Sequence, residues 1–339
     1  MTKCIYSVII RMEITISIQY VEGVLTMKNL IVSSQTAAVA PAPAFREELF
    51  ESWIAYIDGS AKTVETYTKS IKQFMLYAAD NNITHPSRED IIAYREYLKL
   101  TRKPTTVQSY LEAVKLFFKW TEQSGLYPNI ADHIKGAKID REHKKDYLTT
   151  SQSLKLLEGV DRSHLKGKRD YAVLALMITT GLRTISVINA DIKDIRAAGD
   201  DTVLYYKGKG HDDKAVYVKI AEPVEAAIRE YLAARGEKDS TKPLFTSVAH
   251  RNTGERLTTR SISRIVKDHL KGVGLDSDRL TAHSLRHTAA TLNLMNGGTL
   301  EETQQMLDHT SINTTMIYSQ HLKRANNNSE KRVAAAIFG

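Results

Sequence analysis

The sequence predicts a mainly α-helical protein with a small β-hairpin or sheet, organised as two domains. Apolar residues recur every three or four positions over long stretches, and two short β-rich runs lie close together at 202–207 and 215–220. A length of 339 residues is more than one ordinary hydrophobic core organises and suits two. The chain is 42% hydrophobic and 25% charged, which is typical of a soluble globular protein and argues against disorder.

The charge balance favours a polyanionic partner. The chain has 47 Lys and Arg against 39 Asp and Glu, a formal net charge of +8, and nucleic acid is the commonest partner of such a basic surface. The single cysteine, Cys4, excludes an internal disulfide framework and a four-thiolate zinc site, and it fits a reducing setting. No apolar run is long enough for a spanning helix, so we expect no membrane partner.

Residues 1–44 are predicted to be an N-terminal extension that ends in a flexible linker. Residues 13–20 alternate polar and apolar side chains with the period of a β-strand, and 33–43 is rich in Ser, Thr, Ala and Pro. Charged residues interrupt any apolar segment that could serve as a secretory signal. Two interpretations stay open, a small strand-bearing appendage or an over-long start with translation beginning at Met27.

Residues 45–137 are predicted to form a helical domain. Apolar side chains recur at helical spacing in four stretches, 48–57, 64–78, 91–94 and 107–120, and the last helix is expected to end at a Tyr-Pro-Asn turn. Four helices with short connections are typical of a small bundle.

The polar faces of these helices and the tether that follows carry predicted DNA-backbone contacts. They are Lys62, Lys69, Lys72, Arg102, Lys103, Lys115 and Lys119 in the helices, and Lys144 and Lys145 in the tether. For any one lysine of the helices, an ordinary solvated surface is the better interpretation. As a set they favour phosphate contacts, which give affinity and register but do not choose a sequence.

Residues 138–148 are predicted to be a basic linker between the domains. Apolar periodicity stops before this stretch and restarts after Thr149. A basic tether suits a protein that closes around a polyanion, and a plain hydrophilic linker is the alternative interpretation.

Residues 149–339 are predicted to form a mixed α/β domain with a C-terminal tail. The stretch 170–180 is apolar on nearly every face, so it should be a buried helix, and Gly181 should end it. Further helices are expected at 222–236 and 258–272. The two β-rich runs flank a Gly-Lys-Gly turn, which places Lys209 at the tip of a hairpin.

Three side chains near the C-terminal end should share one helical face. His283, Arg286 and His287 have the spacing i, i+3 and i+4, and His309 and Tyr318 follow in the next segments. A zinc site built from the three histidines is an alternative. It is disfavoured because Arg286 lies on the same face and would repel a cation, and no carboxylate is placed as a ligand.

Taken in order, these motifs resemble the tyrosine recombinase (phage integrase) family. They are Thr180-Gly-Leu-Arg183, Gly208-Lys209-Gly210, His283-x-x-Arg286-His287, Leu307-x-His309 and Tyr318. Each motif alone is weak, but the ordered set is specific. The resemblance implies a helical core DNA-binding domain at 45–137 and the family's catalytic domain after the linker.

The resemblance implies a site-specific DNA recombinase that cleaves and rejoins strands through a 3′-phosphotyrosine intermediate, without a metal or other cofactor. Tyr318 is the expected nucleophile, and Arg183 and Arg286 suit the non-bridging phosphate oxygens because guanidinium groups bind phosphate bidentately. Lys209 is the expected general acid for the leaving 5′-oxygen. The resemblance further implies that His283 assists proton transfer at the nucleophile and that His309 hydrogen-bonds the phosphate.

The sequence departs from the family pattern at two positions. Ser186 stands three residues after Arg183, where the family usually has an acidic residue that helps to orient its neighbours, and His287 is expected to support the site in the same indirect way. Asp308 stands where the family usually has glycine, and the sequence offers no account of it.

The resemblance also implies partners and a biological setting. We expect double-stranded DNA, a homo-tetramer on synapsed DNA, an excisionase or DNA-bending proteins as accessory partners, and a nucleoid-associated cytoplasmic location in a bacterium or phage. In similar recombinases the C-terminal tail docks on a neighbouring subunit, and packing on its own domain is the alternative here.

An integrase or transposase of a mobile element is the preferred interpretation. The alternatives are a chromosome-dimer resolvase with the same chemistry, a DNA-binding protein whose catalysis is weakened at Ser186, and a topoisomerase-like nicking enzyme.

Overall fold

The chain divides into two compact units, Met1–Arg141 and Glu142–Gly339. The computed structural model describes the backbone of residues 6–10, 14–21, 24–31, 45–83, 85–138, 146–208, 213–325 and 327–338. Its side chains are described from Phe50 onwards, with 320, 321 and 323–325 outside the description. The division falls inside the predicted linker 138–148, most of which lies outside the described residues.

The first unit opens with a three-stranded antiparallel sheet in the order β1-β2-β3. The strands are β1 (Tyr6–Ile10), β2 (Ile14–Val21) and β3 (Val24–Ile31). The strand predicted at 13–20 is confirmed as β2. Strands β1 and β3 were missed because neither alternates strictly, and β3 contains a Lys-Asn pair that disfavours a strand. The predicted flexible linker at 33–43 lies outside the described residues.

Four helices complete the first unit, as the apolar periodicity predicts. They are α1 (Phe45–Tyr56), α2 (Ala61–Asp80), α3 (Arg88–Thr101) and α4 (Pro104–Gln123). The predicted end of α4 at the Tyr-Pro-Asn turn is wrong, since the helix ends at Gln123. The chain turns there at Gly125, whose φ of 66° is accessible to glycine at little cost.

Aromatic side chains fill the core of the first unit. Trp53 is fully buried, and its ring meets Phe117 edge-on with centroids 5.3 Å apart. Phe74 packs against Tyr94 at 5.2 Å and against Phe118 at 5.9 Å in the same manner. Such edge-to-face contacts add to the free energy gained by burying the rings, so the helices are held by one continuous aromatic cluster.

The second unit is helical around a small sheet. Its helices are α5 (Thr150–Glu158), α6 (Leu165–Thr180), α7 (Thr184–Asn189), α8 (Glu222–Arg235), α9 (Thr259–Gly272), α10 (Ala282–Met295), α11 (Leu300–Leu307), α12 (Ile312–Ala325) and α13 (Ser329–Phe338). The fold class predicted from the sequence is therefore confirmed. No helix within the described ranges is both long and apolar enough to cross a membrane.

The sheet of the second unit has three antiparallel strands in the order β4-β5-β6. They are β4 (Ile195–Ala198), β5 (Asp201–Tyr206) and β6 (Val216–Lys219). The two predicted runs are confirmed as β5 and β6. Strand β4 was missed because it is only four residues long and half of it is alanine, which favours helix. The expected hairpin tip at Lys209 lies outside the described residues.

Helix α6 is the central element of the second unit, as its apolar sequence predicts. Val173, Leu174 and Leu176 have no exposed surface, and the helix ends at Gly181. This glycine adopts the left-handed conformation with φ 64°, and its backbone N–H bonds to the carbonyl of Met177. The chain is thereby turned sharply at the point where Arg183 follows.

A glycine pair tests how tightly this turn is packed. An alanine Cβ at Gly181 would lie 2.6 Å from Leu307 Cδ2, whereas at Gly236, the left-handed cap of α8, nothing lies within 4 Å. Gly236→Ala should cost only the left-handed strain, about 1–2 kcal/mol. Gly181→Ala should cost about 1–3 kcal/mol more because Leu307 must move. Urea denaturation of both variants checks this, and equal losses would show that the turn is loosely packed.

Candidate active site

Arg183 is placed by the turn that ends α6. It caps the N-terminus of α7, directly after the buried Leu182, and its side chain is 28% exposed. Its Nη2 donates to the backbone carbonyl of Asp308 at 3.1 Å, and its Nη1 lies 3.3 Å from Asp308 Oδ2. The guanidinium therefore faces the end of α11 while part of it stays accessible.

Arg286 is held more firmly and lies deeper. The residue is 4% exposed, and its Nη1 donates to the carbonyl of Gly181 at 2.8 Å while its Nη2 donates to the carbonyl of Leu307. Burial, followed by the neighbouring charge of Arg183, lowers the pKa of Arg286 to about 10. The side chain still carries its positive charge at neutral pH.

His283 and His287 lie one turn apart on α10. Their rings are perpendicular, with centroids 4.5 Å apart, and His283 is exposed whereas His287 is only 6% exposed. The ring of His287 lies on its other side against Tyr318, with centroids 5.2 Å apart. His287 therefore packs between the exposed histidine and the tyrosine of α12.

His309 follows α11, and both its side chain and its backbone carbonyl have hydrogen-bond partners. Its Nδ1 lies 2.9 Å from the hydroxyl of Thr315, which is fully buried, and its carbonyl accepts a hydrogen bond from Gln304 at 2.9 Å. Burial, then the charges of Arg286 and Arg183, lower the pKa of His309 to about 4. The imidazole is therefore neutral at neutral pH.

Tyr318 is buried on α12. It is 5% exposed and packs in a small apolar cluster with Ala290 of α10 and Leu307 of α11. Burial raises the pKa of its phenol, and the charges of Arg286 and Arg183 oppose that rise. The hydroxyl is therefore protonated at neutral pH in the DNA-free protein.

These side chains line one cleft of about 430 Å³. The sequence-predicted members among its lining residues are Arg183, His283, Arg286, His287, His309 and Tyr318. A neighbouring cleft of about 410 Å³ shares Arg183, His283 and Arg286 and reaches Ser263 on α9. The structure thus brings together every residue predicted to be catalytic or to support the site, except two. Lys209 lies outside the described residues, and Ser186 is buried in α7 at 4% exposure.

Sequence reasoning missed two supports of this cleft. The carboxylate of Asp308 forms an ion pair with Arg183, and Thr315 contacts His309. The departure from glycine at 308 was visible in the sequence, but its partner was not. For Thr315 the only available signal was its position, a few residues after His309 in a stretch rich in threonine.

Lys214 anchors the chain just before strand β6. Its Nζ donates to the carbonyl of Asn189 at 2.9 Å and to Asp191 Oδ2 at 2.8 Å, and it also pairs with the buried Asp194. The start of β6 is therefore tied to the end of α7, which begins at Arg183.

The basic residues predicted to contact DNA in the first unit lie on its surface. Exposed members are Lys62, Lys69, Arg102, Lys103 and Lys119, and half-buried members are Lys72 and Lys115. Lys62 pairs with Glu65 at 2.7 Å and Lys115 with Glu112 at 3.1 Å. A shallow groove of about 250 Å³ is lined by Lys115, Lys119 and Tyr67 among others. Lys144 and Lys145 lie outside the described residues.

The low pKa of His309 gives a pH prediction. NMR titration of the DNA-free protein should find its imidazole protonating near pH 4, well below the ordinary 6.5. Since the unfolded chain then binds a proton before the folded one does, His309 should lower the free energy of unfolding progressively as pH falls from about 6.5 to about 4.

The variant Arg183→Gln is the control, because it removes one of the charges that disfavour protonation. Its His309 midpoint should be higher than that of the wild type. A wild-type midpoint near 6.5 would contradict the burial of this side chain.

Comparison with known proteins shows the family. The family model "Phage integrase family" matches residues 146–325, and "Phage integrase, N-terminal SAM-like domain" matches 46–126. The tyrosine recombinase XerC of Herpetosiphon aurantiacus is 31% identical over 287 residues, which cover 80% of this chain and 90% of the relative. The tyrosine recombinase XerA of Pyrococcus furiosus is 30% identical over 291 residues, covering 83% and 93%.

The fold also matches solved structures. The crystal structure of the XerH site-specific recombinase bound to its palindromic difH substrate, in a post-cleavage complex, aligns with a TM-score of 0.66 at 20% identity. The match covers 82% of this chain and 83% of that one. Two arginines, three histidines and Tyr318 from the described motifs line one cleft, and the family matches lead to one conclusion: the chain belongs to the phage integrase family and is a site-specific tyrosine recombinase.

Proposed function

We propose that the cleft around Tyr318 binds one DNA phosphodiester and carries out strand cleavage and rejoining. The observation that supports this most strongly is the convergence of Tyr318, Arg183, Arg286 and His309 on a single cleft. In this proposal Tyr318 is the nucleophile, the two arginines are fixed cations and His309 is a neutral hydrogen-bond donor. Together they supply the groups that a phosphoryl transfer without a metal needs.

In the proposed reaction, the phenolic oxygen of Tyr318 attacks phosphorus and the bond from phosphorus to the 5′-oxygen breaks. The phenol loses its proton, and the departing 5′-oxygen gains one. The product is a 3′-phosphotyrosine ester. Attack on this ester by the 5′-hydroxyl of another strand reverses the steps and rejoins DNA, because the ester retains the energy of the original bond.

The arginines stabilise the negative charge that builds on the non-bridging oxygens. Arg286 is suited to this role because two backbone carbonyls already fix its guanidinium, so it needs little reorganisation. His309 is neutral and can donate from Nε2 if Thr315 donates to Nδ1. That tautomer gives the phosphate a third donor without adding a third charge.

We assign the two proton transfers of the reaction to Lys209 and His283. Lys209 follows the paired strand β5, and we assign it the proton for the 5′-oxygen. His283 is exposed at the mouth of the cleft and contacts His287, which contacts Tyr318. This chain of rings supports His283 as the group that assists deprotonation of the phenol.

The first unit supplies contacts to the DNA backbone in this proposal. Its exposed lysines and arginines provide sequence-independent affinity, and the groove lined by Lys115, Lys119 and Tyr67 offers two cations beside an aromatic ring. On binding, Lys62 and Lys115 exchange their carboxylate partners for phosphates. Such exposed ion pairs contribute little to stability, so their loss is easily offset.

The test is covalent trapping on nicked DNA. Footprinting on DNA flanking the encoding gene would first locate the site, and duplexes with a nick beside the cleavage position would then be incubated with the full chain. Wild type should form a protein–DNA adduct that resists denaturation, because the short fragment between the cleavage position and the nick, which carries the attacking 5′-hydroxyl, diffuses away. Tyr318→Phe should form none, because it lacks the attacking oxygen.

Tyr206→Phe is the matched control. Tyr206 is also buried, at 3% exposure, and burial raises its pKa to about 12 beside the same two arginines. Its variant should still trap DNA. Wild type that binds the site but traps nothing would favour the alternative of a DNA-binding protein with weakened catalysis, and relaxation of plasmids without a specific site would favour the topoisomerase-like alternative.

For the biological role we propose recombination of a mobile element. Support comes from the three-stranded sheet at residues 6–31, which precedes both family-model matches and adds an element that DNA strand transfer alone does not need. Chromosome-dimer resolution by the same chemistry is the second candidate, favoured by the relatives named Xer recombinases. A cleavage site at the ends of the encoding element supports the first role, and a single chromosomal site elsewhere supports the second.

We also propose that the chain acts as a tetramer on synapsed DNA and that α13 links its subunits. Helix α13 has no buried residue, and Val333, Ile337 and Phe338 are 58%, 68% and 86% exposed. An apolar face this exposed on a ten-residue helix is poorly stable alone and favours docking on another surface. Accessory proteins such as an excisionase or a DNA-bending protein would act on this assembly.

Deletion of residues 329–339 tests the role of the tail. The truncated protein should bind a single site within about twofold of wild type but should form synaptic complexes and recombinants at least about tenfold less efficiently. Gel-shift and recombination assays measure the two properties separately. Unchanged recombination would mean that the tail packs on its own domain or has no role.

A further inference from the structure

Asp308 places a negative charge where the proposed function requires a phosphate. It caps α11 in the left-handed conformation, with φ 50° and ψ 54°. Within the described residues, only Asn82 and His133 share a positive φ without being glycine. This conformation is common where a helix ends, and aspartate is one of the few residues besides glycine that tolerate it.

The carboxylate of Asp308 points into the cleft rather than away from it. It lines the same cleft as Arg286 and Tyr318, and its Oδ2 lies 3.3 Å from Nη1 of Arg183. That distance is longer than the 2.7–2.9 Å typical of a charge-assisted hydrogen bond. The two side chains are 28% and 18% exposed, so part of each stays accessible to a competing anion.

The orientation of Arg183 does not depend on this carboxylate. Its Nη2 donates to the backbone carbonyl of Asp308 at 3.1 Å, a contact that any residue at position 308 would provide. The carboxylate therefore adds charge to the cleft more than it adds geometry. With His309 neutral, Arg183 and Arg286 supply two positive charges, and Asp308 cancels one of them.

We propose that Asp308 is an internal competitor for the DNA phosphate. Its carboxylate occupies Arg183 in the DNA-free protein, and the scissile phosphate must displace it. This inference rests on the proposed role of the cleft as a phosphate site. The consequence is a cleft that binds isolated phosphates poorly and fills only when contacts elsewhere along the DNA hold the backbone in place.

The test is the affinity of the DNA-free full chain for inorganic phosphate. Arginine side-chain N–H signals would be followed by NMR at constant ionic strength. Asp308→Asn removes the charge, keeps the backbone carbonyl and keeps a residue type that tolerates the left-handed region. It should bind phosphate about 3- to 10-fold more tightly than wild type, because a carboxylate a few ångströms from the ligand is gone.

Asp276→Asn is the matched control. It makes the same change of net charge in the same unit, but its partner is Lys267, and Asp276 does not line the cleft. Its phosphate affinity should stay within about twofold of wild type. A gain equal to that of Asp308→Asn would mean that only net charge matters, and it would overturn the inference.

A double-mutant comparison locates the effect. If Asp308 acts through Arg183, the gain from Asp308→Asn should shrink to less than about twofold in an Arg183→Gln background. Equal or weaker phosphate binding by Asp308→Asn in the wild-type background would overturn the inference and leave the proposed function intact. Absence of phosphate binding at the cleft in both proteins would overturn it as well, while covalent trapping through Tyr318 would still decide the proposed function independently.

Discussion

The buried guanidinium of Arg286 is the contact on which the site depends. It donates to the carbonyl of Gly181, where α6 ends, and to the carbonyl of Leu307, where α11 ends. Both are carbonyls at helix ends, which lack partners within their own helices and carry partial negative charge. The side chain of Arg286, on α10, thus donates to a free carbonyl at the end of each of two other helices. It thereby fixes the positions of Arg183 and His309, which follow those helix ends. A charge buried this way is stable because it is hydrogen-bonded, and its fixed direction is what a phosphate-binding group needs.

The tyrosine reaches the same place through apolar packing. Tyr318 lies against Ala290 of α10 and Leu307 of α11, so α12 is held by the two helices that carry or adjoin Arg286 and His309. Leu307 takes part in both arrangements, since its carbonyl meets Arg286 and its side chain meets Tyr318. It also approaches Gly181, where an added Cβ would clash with it. The polar and apolar contacts of the cleft therefore share one residue, and displacing Leu307 would disturb Arg286 and Tyr318 together.

Much of the fold and most of the site could be predicted from the sequence, for different reasons. Helices with a long apolar period, such as α2, α4 and α6, follow from local pattern, and so does the turn at Gly181. Strands β1 and β4 could not be predicted, because four or five residues carry too little periodicity to separate them from other structures. The ordered motifs predicted six of the residues that line the cleft, but the ion pair of Asp308 with Arg183 joins positions far apart in sequence. Only the packing of α11 against the end of α6 creates it.

The same burial that assembles the site also favours the neutral forms of its tyrosine and of His309. Burial raises the pKa of Tyr318 and lowers that of His309, and in each case it stabilises the neutral form. The two arginines oppose the rise at Tyr318, yet they do not reverse it. The arginines lower the pKa of the phenol but cannot accept its proton, and a phosphodiester bound to them would neutralise part of their charge. In the proposed reaction the proton passes to a base when DNA is bound, and we assign that role to the exposed His283, whose ring contacts His287, which in turn contacts Tyr318.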